Sequence, residues 1–480
     1  MRPSLMPATG YIAKIGLVCF AAVSVAAITP LRRDTPMFTQ DEIRAIQAFW
    51  GQPGRHGSGF PPSAAQSGPY APRQTAEGSK WLLDYFKARG NGGKILPTQN
   101  PAATTERQAI WDSWIEQRYT WDEWQARIRC WDLNQKETGR ALPGPSMPDG
   151  QTPAQPGPIP DDLKALAGEP PAFVAAFTPK LYTTDFGDFV HTAGDNVAVR
   201  RKYAYYRFPA GIMDAGTPMK GDVKALEPLF AKAGVTDSQL RVMGAVSMLE
   251  GGFDSINTYD TGYVSAGFIQ FASLSEGAGS LGAVLLEMKQ HDPKAFQSDF
   301  RRFGLDVTSD GRLVALQLET GEERIGPAAN AEIINNRRYA SAFVRAGRLS
   351  QAFRMAQIRV AVDRYYPADD LVTVTVAGSP QTAKVRDFIK TEAGMATLMD
   401  RKVNTGKFGD LVPICESLAA DYGLSDIKEL AKLEFQIVRA MKYRKDYMDQ
   451  AYTLTKPRDL GLTRSRGGDG RTPPPGKRGG

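Results

Sequence analysis

Between residues 142 and 160 the chain carries seven prolines, at 143, 145, 148, 153, 156, 158 and 160. Each fixes φ and removes a backbone donor, so neither a helix nor a central strand can run through this stretch. It reads as an extended, Pro-rich linker, assigned here to residues 135–160, and it divides the chain in two.

Upstream, residues 37–134 read as a helical N-terminal region. Thr39 caps an amphipathic run over 40–50, a loop rich in Gly, Pro and Ser covers 51–78, and a short helix over 81–88 stops at Arg89-Gly90-Asn91-Gly92-Gly93. Ile110, Trp114, Gln117, Trp121, Trp124, Ile128 and Trp131 recur at alternating spacings of four and three. That pattern predicts one stripe on a helix of about 30 residues. Such a stripe serves packing, in the core or against an envelope protein partner at 104–134, more readily than sugar stacking.

Downstream, residues 161–235 form a small mixed α/β segment, with strands near 189–191 and 197–200 and a helix over 222–233. A helical domain then runs over 236–455. Thr236 or Asp237 caps its first helix, and further helices are expected over 281–289, 329–345, 352–365, 385–400 and 427–449. Residues 312–318 and 322–325 flank Glu319-Thr320-Gly321 as a hairpin, and 371–376 read as a strand. The expected class is mainly α, with a small β-hairpin region.

Of 480 residues, 42% are hydrophobic and 23% charged, which excludes wholesale disorder. The net charge is +7, and residues 456–480 hold seven Lys/Arg against two Asp, so this tail reads as disordered and basic while the body is nearly neutral. With no recognised nucleic-acid motif, no nucleic-acid partner is expected. Three Cys exclude a disulfide framework and a cysteine-rich zinc module. Three His, at 56, 191 and 291, lie far apart, a poor basis for a metal site or a His-based relay. No cofactor and no metal is expected. Residues 15–31 carry no charge and follow Arg2 and Lys14, and Val25-Ala26-Ala27 suits cleavage. This predicts a signal peptide over 1–31, or a membrane anchor over 12–31, and export to the periplasm, envelope or exterior. In an exported chain Cys130 and Cys415 could pair.

The stretch from Leu249 to Phe271 carries the chemistry. Glu250 closes an apolar helix, Gly251-Gly252 allow a sharp turn, and Asp260 follows ten positions on in a segment rich in Gly and Tyr and suited to a short hairpin. Desolvation raises the pKa of a carboxyl at the end of an apolar helix, whereas an aspartate in a wetter loop stays ionised. Glycosidic cleavage needs that pairing: one acid to protonate the bridging oxygen, one carboxylate to activate water or stabilise positive charge. Ser265 could orient the water. Asp254 competes for the second carboxylate, and Glu276 could line the cleft. Tyr259 and Tyr263 could stack on sugar faces, with Gln270 and Asn404 donating hydrogen bonds. Asn335-Asn336-Arg337-Arg338 reads as a solvated helix face able to meet substrate carboxylates.

The order Glu-Gly-Gly, Asp260, Gly262, a hydroxyl residue and Gly267 resembles the lysozyme-like superfamily, closest to phage-type lysozymes and related muramidases with a Glu-Gly-Gly motif. Asp400-Arg401-Lys402-Val403-Asn404-Thr405-Gly406 is similar to the helix-end Asp-x-x-Val-Asn-x-Gly of the same muramidases. The resemblance covers roughly residues 236–450, with 300–330 as an insertion. It implies a lysozyme-like α+β fold and a peptidoglycan-cleaving glycosidase acting on peptidoglycan or a related amino-sugar polymer. Glu250 would be the general acid, Asp260 the second carboxylate, and Ser265 would stand where those families carry Thr. Chitosanase-like or lytic transglycosylase activity is an alternative. So is a non-catalytic wall-binding or envelope assembly protein on the same scaffold.

Overall fold

The computed structural model describes residues 36–89, 105–147, 149–195, 201, 203–217, 223–247, 251–450 and 453–464. The expected signal or anchor at 1–31, the strand at 197–200, Glu250 and most of the basic tail lie outside these residues. From Met37 on, the described residues belong to one compact unit of mixed α+β structure.

The first helix, Gln40–Trp50, starts in a capping box in which Thr39 and Glu42 exchange side-chain bonds with each other's backbone. Its buried face does not stay in an N-terminal domain. Trp50 donates from Nε1 to the Phe303 carbonyl at 3.0 Å, and Glu42 pairs with Arg301 at 2.7 Å. Phe38, Ile43, Ile46 and Trp50 thus join the large core built by residues after 186. Packing therefore crosses the proline-rich stretch.

That stretch is also not a free linker. Residues 139–147 and 149–160 lie back along the long helix Thr105–Thr138, held where Trp131 donates to the Leu142 carbonyl (3.1 Å) and Trp114 to the Gly157 carbonyl (2.9 Å). Met147 is buried there. Prolines dictate the extended backbone, and the indole donors decide where it lies.

The helix is present as expected, but the predicted stripe is not its buried face. Ile110 and Gln117 are exposed and Trp121, Trp124 and Trp131 are only half-buried. The buried seam is Trp111, Ile115, Tyr119, Asp122, Ala126 and Cys130, with Trp114 beside it. A spacing of 3.5 suits a supercoiled partner helix, and a straight helix drifts away from it. Here the partner is a two-stranded sheet, β2 (Ala71–Gln74) with β3 (Val174–Phe177). The seam accordingly follows the helix's own 3.6 period, and the buried Asp122 accepts the Phe173 amide at 2.8 Å.

β1 (His56–Gly59), β4 (Leu181–Asp185) and β5 (Val190–Gly194) form an antiparallel sheet in the order β1–β4–β5. β6 (Met213–Asp214), β7 (Ile256–Asn257), β8 (Ser265–Ala266) and β9 (Phe271–Ala272) form a short four-stranded antiparallel sheet that carries the candidate site. The expected hairpin after residue 312 is β11 (Leu313–Gln317) with β12 (Glu322–Ile325), extended by β10 (Leu305–Val307). The strand Leu371–Val376 pairs with Ser379–Lys384.

Helices surround these sheets. The run over 329–345 is two helices, Pro327–Asn335 and Arg337–Leu349, broken where Asn336 caps the second. The run over 385–400 is likewise split, into Val385–Phe388 and Glu392–Thr405. Pro293–Asp299 and Leu411–Tyr422 are helices that periodicity missed. Cys130 and Cys415 are both free, buried thiols, so the pairing considered above does not occur. Among the described residues no helix is long and apolar enough to cross a membrane.

Candidate active site

The helix Asp237–Ser247 opens with a reciprocal cap between Thr236 and Gln239. It buries Leu240, Val242, Met243 and Val246. Past its end the chain turns at Gly251, whose φ of +135° favours glycine, and Gly251 N donates to the Ser247 carbonyl at 3.2 Å. Gly252 is tighter: a Cβ there would lie 2.0 Å from the Thr217 carbonyl oxygen. The Glu-Gly-Gly pattern is thus read by the fold as close backbone approach. Glu250 itself is outside the described residues.

Asp254, the competing second carboxylate, is excluded from chemistry by its partners. It is 2% exposed, pairs with Arg348 at 2.6 Å, and accepts the Thr217 amide (2.7 Å) and hydroxyl (3.1 Å). Glu276 is a surface residue bonded to Ser275.

Asp260 follows β7, in a turn that brings it beside Tyr206 across an antiparallel bridge. Its Oδ1 accepts the Gly262 amide at 2.8 Å, its Oδ2 accepts the Asn257 side-chain amide at 2.7 Å, and the Tyr203 hydroxyl also donates to it. It is not the wet-loop aspartate expected from sequence. Burial pushes its carboxyl above the ordinary aspartate range, while the Gly262 amide, the Asn257 amide, the Arg207 charge and Tyr203 pull it back. An ionised carboxylate held in this way is a stronger base than a free one.

Ser265 stands opposite Asn257 in the β7–β8 register. A Cβ built on Gly262 would lie 2.4 Å from Ser265 Oγ and 3.1 Å from Asp260 Oδ1. The hydroxyl and the carboxylate therefore both close on Gly262, where no larger side chain would fit. The fold brings these two expected residues together.

The other expected contacts fare differently. Tyr259 is 1% exposed, its ring packed with Tyr203 and Tyr206, and it presents no face to a sugar. Gln270 donates its amide to Ser255 Oγ (2.7 Å) and the Gly267 carbonyl (3.3 Å), so its donors serve the turn. Asn404 donates back to the Asp400 carbonyl at 2.7 Å, closing a helix that ends at the left-handed Gly406. Tyr263 is half-buried, with its ring 4.9 Å from that of Phe208.

Sequence reasoning missed the wall opposite the hairpin. Residues 203–212 run along 256–260, with the Arg207 and Phe208 amides both donating to the Tyr259 carbonyl (2.8 and 3.0 Å) and Ile212 N to Thr258 Oγ1 (2.9 Å). This wall is hung on the N-terminal region. Ser79 Oγ donates to the Tyr203 carbonyl (2.8 Å) and accepts the Tyr206 amide (3.0 Å), and Gln74 Nε2 donates to the same Tyr203 carbonyl (2.6 Å). The site thus extends beyond 236–455, and no periodicity in residues 74–79 or 203–207 signals it.

A second polar cluster lies apart. His191 sits between Ser341 Oγ (2.8 Å) and Asp214 Oδ2 (3.1 Å), partners that sequence separation hid. Both His191 and Ser341 are buried, so no substrate reaches the hydroxyl and the cluster is a packing device. The basic run is not a free face either: Arg337 pairs with Asp195 (3.3 Å) and Arg338 with Glu319 (3.6 Å) around a cleft of about 270 Å³. No group of three or more His, Cys, Asp or Glu among the described residues is arranged to hold a metal ion. Comparison with family models, curated proteins and solved structures returned no match.

Proposed function

We propose that this chain is an exported glycosidase with a lysozyme-like catalytic region, cutting peptidoglycan or a related amino-sugar polymer. The observation that carries the reading is the approach of Asp260 Oδ1 and Ser265 Oγ to the same side of Gly262. A water shared by these two groups would donate to a carboxylate and accept from a hydroxyl, the arrangement an attacking nucleophile needs. Glu250, placed by sequence between the apolar helix and the two glycines, supplies the proton to the leaving oxygen. Asp260 takes a proton from the water, and Ser265 orients it. The half-buried Tyr263 offers its free ring area for stacking on a sugar. The reaction so written uses the chain's own residues and calls on no bound group. Export rests on the uncharged run over 15–31 behind Arg2 and Lys14.

The test uses the full chain, because residues 74–79 anchor the site wall. Turbidity loss and released reducing ends from purified peptidoglycan are compared for the parent chain, Glu250→Gln and Asp260→Asn. The reading requires loss of about 10²-fold or more in each variant, the contribution of a general acid or base. Product masses separate hydrolysis from ring-closing transglycosylation. A parent chain that sediments with the wall yet releases no reducing ends from peptidoglycan or chitosan would instead be a binding or assembly protein.

A further inference from the structure

The long helix lays its buried seam on a sheet, which leaves its tryptophan stripe to another occupant. That occupant is the proline-rich stretch. Trp131 gives its indole N–H to the Leu142 carbonyl and Trp114 gives its own to the Gly157 carbonyl. Ile159 packs against the cluster that holds Trp111 and Trp114. Between the two anchors Trp121, Trp124 and Ile128 are half-buried.

Burial along the stretch has its own period. Leu142 and Pro145 are half-buried with exposed residues between them, and Pro153, Pro156 and Ile159 repeat the pattern. A period of three is that of a polyproline helix with one face turned inward. Two such arms meet at a turn, where Gly150, at φ +73°, donates its amide to the Met147 carbonyl at 2.9 Å. A polyproline backbone makes no internal hydrogen bonds, so its carbonyls need outside donors. An indole supplies such a donor together with a flat apolar ring. Aromatic surfaces read proline-rich segments by this chemistry.

The arms are loosely held. Among the described residues of 139–160, Met147 alone is buried, and few buried apolar contacts mark a segment that opens locally at low cost. At 1.5 Å per residue the two anchoring indoles sit about 25 Å apart along the helix. The polyproline backbone from Leu142 to Gly157 would reach about 46 Å if straight. The turn at Gly150 takes up that slack, so one arm can lift while the other stays docked.

We propose that the tryptophan face of the helix Thr105–Thr138 is a recognition surface for proline-rich segments, filled in the resting chain by its own two arms and open, by exchange with an arm, to a proline-rich segment of a partner protein. The segment it takes is uncharged, as the arms are: between Leu142 and Pro160 the one charged residue is Asp149, at the turn. This surface stands apart from the glycosidase reading, because no residue of the Asp260 site takes part in it.

The experiment titrates a fluorescent peptide copying residues 141–160 with the full chain and follows polarisation. The parent's own arms compete at high local concentration, so the comparison is with Pro153→Ser/Pro156→Ser, which weakens the second arm. Apparent affinity scales with the fraction of the face left open, and that variant should bind the peptide about tenfold tighter than the parent. Adding Trp114→Phe, which keeps a ring and removes the donor, should weaken binding about fivefold, the worth of one hydrogen bond. A peptide with serine at every proline should not bind. Circular dichroism and melting are the folding controls, and either single proline variant replaces the double one if that fails them. The proposal is overturned if no variant binds the peptide, if parent and proline variant bind it equally, if Trp114→Phe changes nothing, or if the serine peptide binds as well as the proline one.

Discussion

Asp254 and Asp260 stand six residues apart in one loop and have opposite fates. Asp254 is sealed: Arg348 and both donors of Thr217 consume its oxygens. Around it the backbone is packed so closely that a Cβ on Gly347 would lie 2.2 Å from the Phe253 carbonyl oxygen. Asp260 is held instead by neutral donors, the Gly262 and Asn257 amides and the Tyr203 hydroxyl, and burial raises its pKa. A buried carboxylate paired with a guanidinium locks a fold, while one held by neutral donors at a raised pKa is a candidate for proton transfer.

Asp254→Ala should be the most damaging change. It leaves Arg348 and the Thr217 amide without their acceptor and should cost about 3 kcal/mol of stability, seen as a lowered denaturant midpoint. If the midpoint does not move, the sealed loop is not the lock described here. Asp260→Asn reverses the pattern: about 10²-fold loss of reducing-end release, with a far smaller change in midpoint. Gly347→Ala should cost about 2 kcal/mol through overpacking against residues 253–254, and would be harmless only if the helix and loop can part. Ser265→Ala should lower kcat about tenfold, one hydrogen bond to the water, with the midpoint nearly unchanged.

The pH dependence sharpens the contrast. The proposed glycosidase would need Asp260 ionised, and burial raises its pKa, so the acid limb of kcat/KM should lie above the ordinary aspartate value. A limb at or below that value would contradict the burial of this carboxyl. Asp214 gives the smallest effect and the opposite sign. Its hydrogen bond with His191 holds its pKa below the ordinary range. The stability it contributes is present above the unfolded aspartate pKa and lost as pH falls through the lower folded one. Melting temperature should therefore fall less on acidification in Asp214→Asn than in the parent chain.

Much of the local structure was legible. The capping box at Thr39, the helix after Thr236, the hairpin around Glu319-Thr320-Gly321 and the glycine turn at 251–252 all depend on neighbours within a few residues, which sequence displays directly. The juxtaposition of Asp260 and Ser265 was also within reach, because both lie in one short hairpin region. The role of Gln357 was not. It accepts the Phe268 amide and donates to the Phe253 carbonyl, stitching both ends of the site loop from a helix some ninety residues away.

By itself the sequence determined where the chain must turn, where prolines keep it extended, and which residues carry acids, hydroxyls and glycines at the site. Those are properties of φ, of missing donors and of side-chain type, and they act over a few residues. Only the tertiary structure decided which face of the tryptophan-rich helix is buried, which of two aspartates is paired with an arginine, and that residues 74–79 support the wall at 203–207. Each of these is a question of which distant group supplies or withholds a hydrogen bond or a charge, and burial makes that choice costly enough to matter.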